Sequence, residues 1–504
     1  MSTDLTQRKT QDTVATPSVR FTELCERWKM IDDLCGGTRA MRAARNEWLP
    51  MEDKETDKQY EARLKRSVLY AALRDTIDSA VAKPFSQPIA LPEVALHEKL
   101  SPIETSTDRK GQSLTSFGAE VFKAALKYNH THVIVDYPPK AVDEDGNARA
   151  RSLGKEREDD IRPYFVHVKP TTLIGIRREV DSSGVERVTM ARIKEKATIP
   201  KGTYSEESIY RITLWTETEV VIFESKTDDP DKYSEKSRRS HTFGSVPLKT
   251  LYLDPEQGDS SELPFEDLGW LNITHWQSMS DQRNILRVAR VPFIHAAGFT
   301  KDELGDNVAI SAARFIRSKN PDSKIGHVEH TGKAIEAGEK DLMRLEERMI
   351  ILGLQPFVQQ TGTQTATGKA IDQAQTHTQI QAWIRVTEAF ILDLYRTAAE
   401  WINAKIPEAF AVSINNDFGF TINADKDVAN LIKARIAREI SYSTFINELK
   451  RRGFFADSVD PEAETEALAE EVPEPDPDDV PDDEPEDPPK KDDAKDKNDD
   501  GDDE

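Results

Sequence analysis

The sequence predicts an α+β fold, and three observations predict it. From 161 to 253 apolar residues recur at every second position, the period of half-buried strands. On either side of that stretch they recur at three and four positions, the period of amphipathic helices. Last, Ala334 to Ile402 reads as a helix, an uncharged loop and a long helix in succession, which places the longest helical unit after the strands.

In chain order, residues 1–20 are polar and expected to be disordered. Phe21–Leu34 and Thr38–Leu49 read as helices separated by Gly36-Gly37. Asp57–Val81 reads as a third, with Tyr60, Leu64, Val68 and Ala71 at helical spacing and Pro84 just beyond its end. Trp28 and Trp48 are expected to anchor the packing. Residues 91–113 read as loop. Leu114–Tyr128 puts Leu114, Phe117, Val121 and Ala125 on one helical face and runs into a strand, His132–Tyr137, stopped by Pro138-Pro139. Residues 141–160 form a charged insertion. Strands are expected at Tyr164–Val168, Leu173–Glu179, Val185–Lys194, Ser208–Glu217, Glu219–Glu224 and Pro247–Tyr252. Turn-forming residues at 181–184, 228–230 and Gly244 separate them. Such an arrangement is a mostly antiparallel sheet.

Pro264 opens a helix over Phe265–Arg290, and Pro292 follows it. Residues 291–333 offer short strands at Phe293–Ala296 and Lys324–Glu329 around a small helix near Asn307–Ile316. In Ala334–Leu352, Ile335, Gly338, Leu342, Leu345, Met349 and Leu352 repeat at three and four positions and form one apolar seam. The loop Gly353–Gly368 follows. The helix Ala370–Ile402 starts polar, then carries Ile380, Ile384, Thr387, Ile391, Leu394, Ala398 and Trp401 along one line. A helix polar on most sides bridges or lines a wet space, so this unit is expected to line a channel. A strand pair at Ala411–Thr421 and helices at Val428–Ile440 and Tyr442–Gly453 follow, the last capped by Ser441. The Pro/Asp/Glu-rich segment 461–504 is expected to be disordered.

Composition narrows the function. At 504 residues, 32% charged and 7% aromatic, the chain suits two to four polar domains. No run reaches the roughly 18 apolar residues of a membrane span, and the polar N-terminus carries no apolar signal segment. Cys25 and Cys35 lie outside any CxxC spacing and read as reduced cytosolic thiols. Residues 461–504 hold 22 Asp/Glu and 4 Lys, so −18 of the net −23 sits there and the rest of the chain carries −5. An evenly basic nucleic-acid binder is excluded. A protein that lets a polyanion pass without gripping it is not. Self-similarity at the periods of solenoid repeats is absent.

Motifs of catalysis and metal binding come close and fail. Gly362-Thr-Gln-Thr-Ala-Thr-Gly368-Lys369-Ala370 has five residues between its glycines where a phosphate-binding loop has four. Ala370 stands where the magnesium-binding hydroxyl belongs, and a helix precedes the loop where a strand is needed. Asp496, Asn498, Asp500 and Gly501 begin a calcium-loop pattern whose twelfth position falls beyond Glu504. The run Asp143-Glu-Asp-Gly146 has Ala141 at its first ligand position. The close histidine pairs His130/His132 and His327/His330 lack a third ligand at a recognisable spacing. The expectation is therefore no catalytic residue, no metal, no cofactor and no enzymatic activity.

Two sets of residues stand out instead. Gln359, Gln360, Thr361, Gly362, Thr363, Gln364 and Thr365 offer hydrogen bonds without charge. That suits a flexible connection or a mobile tongue over which DNA slides, because firm phosphate binding needs Lys and Arg. Lys340, Arg344 and Arg348 lie four apart on the helix, off the apolar seam. They read as a solvated face paired to Glu336 and Glu347, or as a channel-facing ring of cations repeated in each subunit.

Several segments bring the chain close to a known family. They are Trp28-Lys-Met-Ile-Asp-Asp-Leu34, Gly36-Gly-Thr-Arg-Ala-Met41, Trp48-Leu-Pro50, Leu263-Pro-Phe-Glu-Asp-Leu-Gly-Trp-Leu-Asn-Ile-Thr-His-Trp-Gln-Ser-Met-Ser-Asp281, Val291-Pro-Phe293, Ala334-Ile-Glu-Ala-Gly-Glu-Lys-Asp-Leu342, Leu345-Glu-Glu-Arg-Met349 and Thr365-Ala-Thr-Gly-Lys369. Over about residues 20–455 the chain resembles the portal (head-to-tail connector) proteins of tailed bacteriophages, in a group described as an uncharacterised phage portal-like domain. The run Leu263–Asp281 is the most specific. The resemblance implies a portal-like architecture. Residues 21–262 would be a wing of helices then sheet, 265–290 a first stem helix, 291–333 a small α/β clip, 334–352 a second stem helix and 353–368 a tunnel loop. Residues 369–421 would be a long wing helix with a strand pair, and 422–456 a helical crown, followed by an acidic tail at 457–504. It implies a homo-oligomeric ring, a dodecamer, at one capsid vertex of the virion, assembled in the host cytoplasm. Double-stranded DNA would pass through the axis during packaging and ejection. Terminase, major capsid protein and head–tail connector or adaptor proteins would be partners, with no membrane. The acidic tail departs from the common portal core. Two other classes compete: a scaffold or adaptor using the tail as a DNA mimic, and an NTP-dependent translocase or nuclease.

Overall fold

The structure is a computed structural model, and it describes residues 12–139, 152–255, 258, 262–289, 293–299, 319–328, 332–353, 366–416, 431–451 and 459–471. The chain forms two compact units, Met1–Phe418 and Gly419–Glu504.

The first unit opens with helices. The Ser18 hydroxyl accepts from the Phe21 amide and starts α1 (Val19–Cys35), which buries Leu24, Trp28, Ile31 and Leu34. Gly37, at φ 72°, turns the chain into α2 (Gly37–Ala44), and a single 3-10 turn (Arg45–Glu47) follows. Trp28 and Trp48 are both buried, and the Trp48 indole donates to Asp33 Oδ2 at 2.7 Å.

The expected helix Asp57–Val81 is in fact two, α3 (Asp57–Arg66) and α4 (Ala72–Ala82). The helical pattern continues across the break, but tertiary partners take its backbone groups. Arg42 donates to the Ser67 carbonyl, the Leu69 amide donates to Thr38 Oγ1, and the Ser67 hydroxyl bonds Ser280 Oγ at 2.9 Å. Val68, read as part of the apolar face, is exposed.

Next comes α5 (Leu114–Tyr128), capped by Ser113 and ended by Asn129 in the left-handed conformation, with the bounds the periodicity predicts. It leads into β1 (His130–Asp136), which is buried along its whole length. The helix α6 (Leu153–Glu158) lies in the charged insertion, tied back by Lys99–Glu156 and Arg157–Glu98. β1 is the middle strand of a three-stranded antiparallel sheet, between β2 (Tyr164–Val168) and β8 (Leu248–Tyr252). A five-stranded antiparallel meander holds β3 (Leu173–Val180), β4 (Glu186–Lys201), β5 (Ser205–Thr216), β6 (Glu219–Ser225) and β7 (Ser234–Ser240). The sequence pattern misses β7, because Ser-Glu-Lys-Ser-Arg-Arg-Ser is an edge strand whose side chains face water on nearly every position, so no alternation marks it.

The remainder of the unit is two long helices, a β-ribbon and a third long helix: α7 (Glu266–Ala289), β9 (Phe293–Ala297) paired antiparallel with β10 (Lys324–Val328), α8 (Lys333–Leu352) and α9 (Ala366–Trp401). The small helix expected near Asn307–Ile316 lies outside the described residues.

One core cluster joins α1, α4, α5, β1, β2, α7 and α9 through Trp28, Leu73, Phe117, Val133, Phe165, Trp276 and Tyr395. It corrects the expectation for α9. Ile380, Ile384, Thr387, Ile391, Leu394 and Ala398 are buried, and so are Trp383, Phe390, Tyr395, Thr397 and Ala399. That apolar face is too broad for a wet lining, so the last two thirds of α9 form a core helix. The Trp401 indole ties its end to the Val135 carbonyl at 2.7 Å. The expected strand pair at Ala411–Thr421 is also corrected. Ser413 makes a single antiparallel bridge to Ala90, and the Ile414 amide donates to Glu388 on α9. Residues 417–421 lie outside the described set.

In the second unit, residues 431–436 are helical and Ser441 caps α10 (Tyr442–Arg451) by accepting from the Thr444 amide, as expected. The acidic segment is not wholly irregular: Pro461–Glu471 forms helix α11. Asp460 accepts from the Glu462 amide at 3.0 Å, proline occupies the first position, and Glu462 and Glu464 sit where the helix dipole favours anions. Residues 472–504 lie outside the described set.

Asn272 tests the account of the α3–α4 break. It is fully buried, accepts from the Leu73 amide at 3.2 Å and donates to the Tyr70 carbonyl at 2.8 Å. Asn272→Ala strands both backbone groups and should lower unfolding stability by about 3 kcal/mol. Thr274→Ala, on the exposed face, should stay within about 0.5 kcal/mol in the same urea titration.

Candidate functional site

The site the sequence singles out is built on α7 and α8. Leu268, Ile273 and Trp276 bury one side of α7 in the core, with Leu263 and Phe265 just before it. Several of its other inward positions are polar and bonded to neighbouring elements. Asn272 and Ser280 reach the α3–α4 break, Gln277 donates to the Trp48 carbonyl, and Arg27 pairs with Glu266. Sequence reasoning missed this row. Its signal was present in the polar residues interrupting the apolar side of Leu263–Asp281 at helical spacing.

Two further bonds join α7 to α8. Gln282 Nε2 donates to the Ile335 carbonyl at 2.9 Å, and His275 Nε2 lies 3.1 Å from Glu346 Oε1. Residues later in α7 meet residues earlier in α8, so the pair is antiparallel. Gly338 lets them approach, since a Cβ there would fall 2.1 Å from Gln282 Oε1. His275 is fully buried against Tyr70, with ring centroids 5.3 Å apart. The result is a helical hairpin with β9–β10 at its far end. At 24 residues, α7 spans about 36 Å. The near end of α8 returns to the core, where Gly353 lies against Thr76 and Leu268.

The seam of α8 holds as predicted at Leu342, Leu345 and Met349, which are buried, while Ile335 and Gly338 are half-buried. Leu352 departs from it and is exposed. Lys340, Arg344 and Arg348 are all exposed on the opposite side. Among the described residues none of the three has a carboxylate partner, so the expected pairing with Glu336 and Glu347 is absent.

At about 100° per residue the exposed charges separate into two flanks. Lys333, Lys340, Arg344 and Arg348 fall on one, interrupted by Asp341 at its edge, and Glu336, Glu339 and Glu347 fall on the other. Met343 and Ile351, 60% and 61% exposed, lie on the same outer face. The loop residues Gln359, Gln360, Thr361, Gly362, Thr363, Gln364 and Thr365 lie outside the described residues, whereas Gly368-Lys369-Ala370 fall in the opening turns of α9.

Other candidates have plain structural roles. His130 and His132 lie side by side on β1 with ring centroids 5.2 Å apart, and His132 Nδ1 lies 2.9 Å from Thr250 Oγ1. Burial holds His132 well below the usual imidazole range. His330, like the calcium-like runs at 141–146 and 496–501, lies outside the described residues. Among the described residues no three His, Cys, Asp or Glu side chains gather as a metal site would require. Both thiols are free, and burial pushes Cys35 up to about 11, away from the thiolate form. Among the described residues no helix is long and apolar enough to cross a membrane.

The two sides of α8 should separate in mutagenesis. Replacing Lys340, Arg344 and Arg348 together by Ala should leave thermal unfolding within about 0.5 kcal/mol, since exposed charges without partners contribute little. Glu346→Ala should lower stability by about 2 kcal/mol, because it strips the buried His275 of its partner.

Residues 264–402, which contain the hairpin, match a family described as a domain of unknown function (DUF4055). No curated protein matches the sequence significantly. Among solved structures, the chain is similar to one in the virion of a native gene transfer agent (GTA) particle, at 10% identity and a TM-score of 0.37. It is also similar to chains in the neck of the empty GTA particle computed with C6 symmetry, at 9% and 0.40, and in the neck of the native particle computed with C12 symmetry, at 12% and 0.36. Each alignment covers 74% of this chain and 88% of the other. At these TM-scores the likeness carries no argument about fold or role.

Proposed function

We propose that the chain is a phage portal protein, the subunit of a ring at one capsid vertex through which double-stranded DNA is packaged and ejected. The observation that carries this reading is the α7–α8 hairpin. Two long antiparallel helices stand on a helical and sheet wing, carry a small β-ribbon at their far end, and are followed by a long helix returning to the wing core. That is the order of parts the resemblance implies: wing, stem, clip, stem, loop, wing helix.

The charge pattern of α8 supports a ring in its own right. A heterologous contact that closes by rotation joins two different surfaces of neighbouring copies. The cationic flank of one α8 and the anionic flank of the next are complementary surfaces of that kind, with Met343 and Ile351 available for cover. In such a ring Lys340, Arg344 and Arg348 line the channel at the seam between copies, their charge partly offset by the neighbour's carboxylates, and the uncharged loop Gln359–Thr365 touches DNA without holding it. The chain itself hydrolyses nothing. Terminase supplies the work at the clip, connector proteins dock there after packaging, and capsid protein meets the wing.

Photocrosslinking tests the channel. A photoreactive residue at Arg344 or Arg348, in assembled particles, should capture DNA. The same residue at Tyr204, at the exposed turn between β4 and β5, should not. Capture of neighbouring copies with no DNA would move the cationic flank from the channel to the subunit interface. Capture of neither would contradict the proposed role.

A further inference from the structure

The second unit carries its charge in two blocks. Residues 431–452 hold Lys433, Arg435, Arg438, Lys450, Arg451 and Arg452 against Glu439 and Glu448. Residues 472–504 hold 17 Asp/Glu against 4 Lys. The helix over 431–436 ends at Arg438, in the left-handed region at φ 58°, with the Glu439 amide donating to the Ala434 carbonyl at 2.9 Å. The Arg435 guanidinium donates to the Ile440 carbonyl and lies 5.7 Å from the Tyr442 ring, which draws the two helices of the basic block together at their turn. Lys433 and Arg438 are exposed there. α10 buries Ile446 and Leu449, and α11 packs against it. On α11 the first acidic residues, Glu462, Glu464 and Glu466, are exposed.

We propose that residues 472–504 dock on the basic surface of residues 431–451 and occupy it in place of an external polyanion. Three observations favour this occupant. Its charge is opposite and larger. It is tethered to the surface, which makes binding intramolecular and its effective concentration high. The helix that precedes it, α11, also packs against α10 and ends at Glu471, so the segment starts from an element in contact with the basic block. Reach is no bar, since 33 residues span up to about 110 Å extended, against about 32 Å for a helix as long as the basic block. A basic surface covered by its own chain does not retain passing nucleic acid. The inference does not require a ring.

Carbodiimide cross-linking of the full chain at low salt tests it, read by mass spectrometry on a mixture of isotope-labelled and unlabelled protein. Lys433 or Lys450 should join Asp or Glu of 472–504 within one chain, and the products should fade as salt screens the pair. In parallel, a chain ending at Glu471 should bind a short DNA duplex roughly tenfold or more tighter than the full chain. Adding Lys433→Glu and Arg438→Glu to the shortened chain should abolish the gain. Equal affinity of full and shortened chains, or cross-links exclusively between differently labelled chains, would overturn the proposal. Native mass measured on the same samples reports on the ring separately, so the two readings fail independently.

Discussion

Helix α7 must satisfy polar groups on both of its sides, and the arrangement of the first unit depends on that. Asn272, His275, Ser280 and Gln282 are buried, so each needs a bonded partner or destabilises the fold by its lost hydration. Asn272 and Ser280 find theirs at the α3–α4 break, His275 and Gln282 on α8. An apolar seam by itself tolerates sliding by a turn. A row of directional bonds does not, because a shift leaves several groups unpaired at once. The same side chains thus break α3 from α4, set the register of the α7–α8 pair and fix that pair on the helices of the first unit.

A hairpin held so firmly on one side leaves its other side uncovered. The outer face of α8 combines charges of opposite sign on two flanks with two large exposed apolar side chains. In one copy this face has no evident use. Repeated around an axis, one flank meets the other and the apolar residues lose their water. The second unit carries the same opposition of charge within one chain, a basic helical turn followed by an acidic extension. Carboxylates set beside Lys and Arg weaken their hold on a passing polyanion.

Much of this was legible in the residues. The periodicity gave α5 to the residue, the bounds of α7 and α8 to within one position, and the seam through Leu342, Leu345 and Met349, because a buried stripe is a local pattern. What escaped was set by distant partners or by lack of contrast. The α3–α4 break follows from Asn272 and Ser280, some two hundred residues away. β7 shows no alternation because its edge faces water, and α11 was hidden in a composition that reads as unstructured although Asp460 and Pro461 mark a helix start. The position of Lys340, Arg344 and Arg348 off the apolar seam was legible in the helical spacing. That none of them meets a carboxylate among the described residues depends on side-chain placement, which spacing does not fix.

The central claim is that copies of this chain close into a ring around an axis, and native mass of the purified protein under assembly conditions tests it most directly. Twelve copies of a 56.9 kDa chain give about 680 kDa, and the account predicts a discrete species near that mass with an axial hole in negative stain. A clean monomer or dimer that persists at high concentration would contradict it.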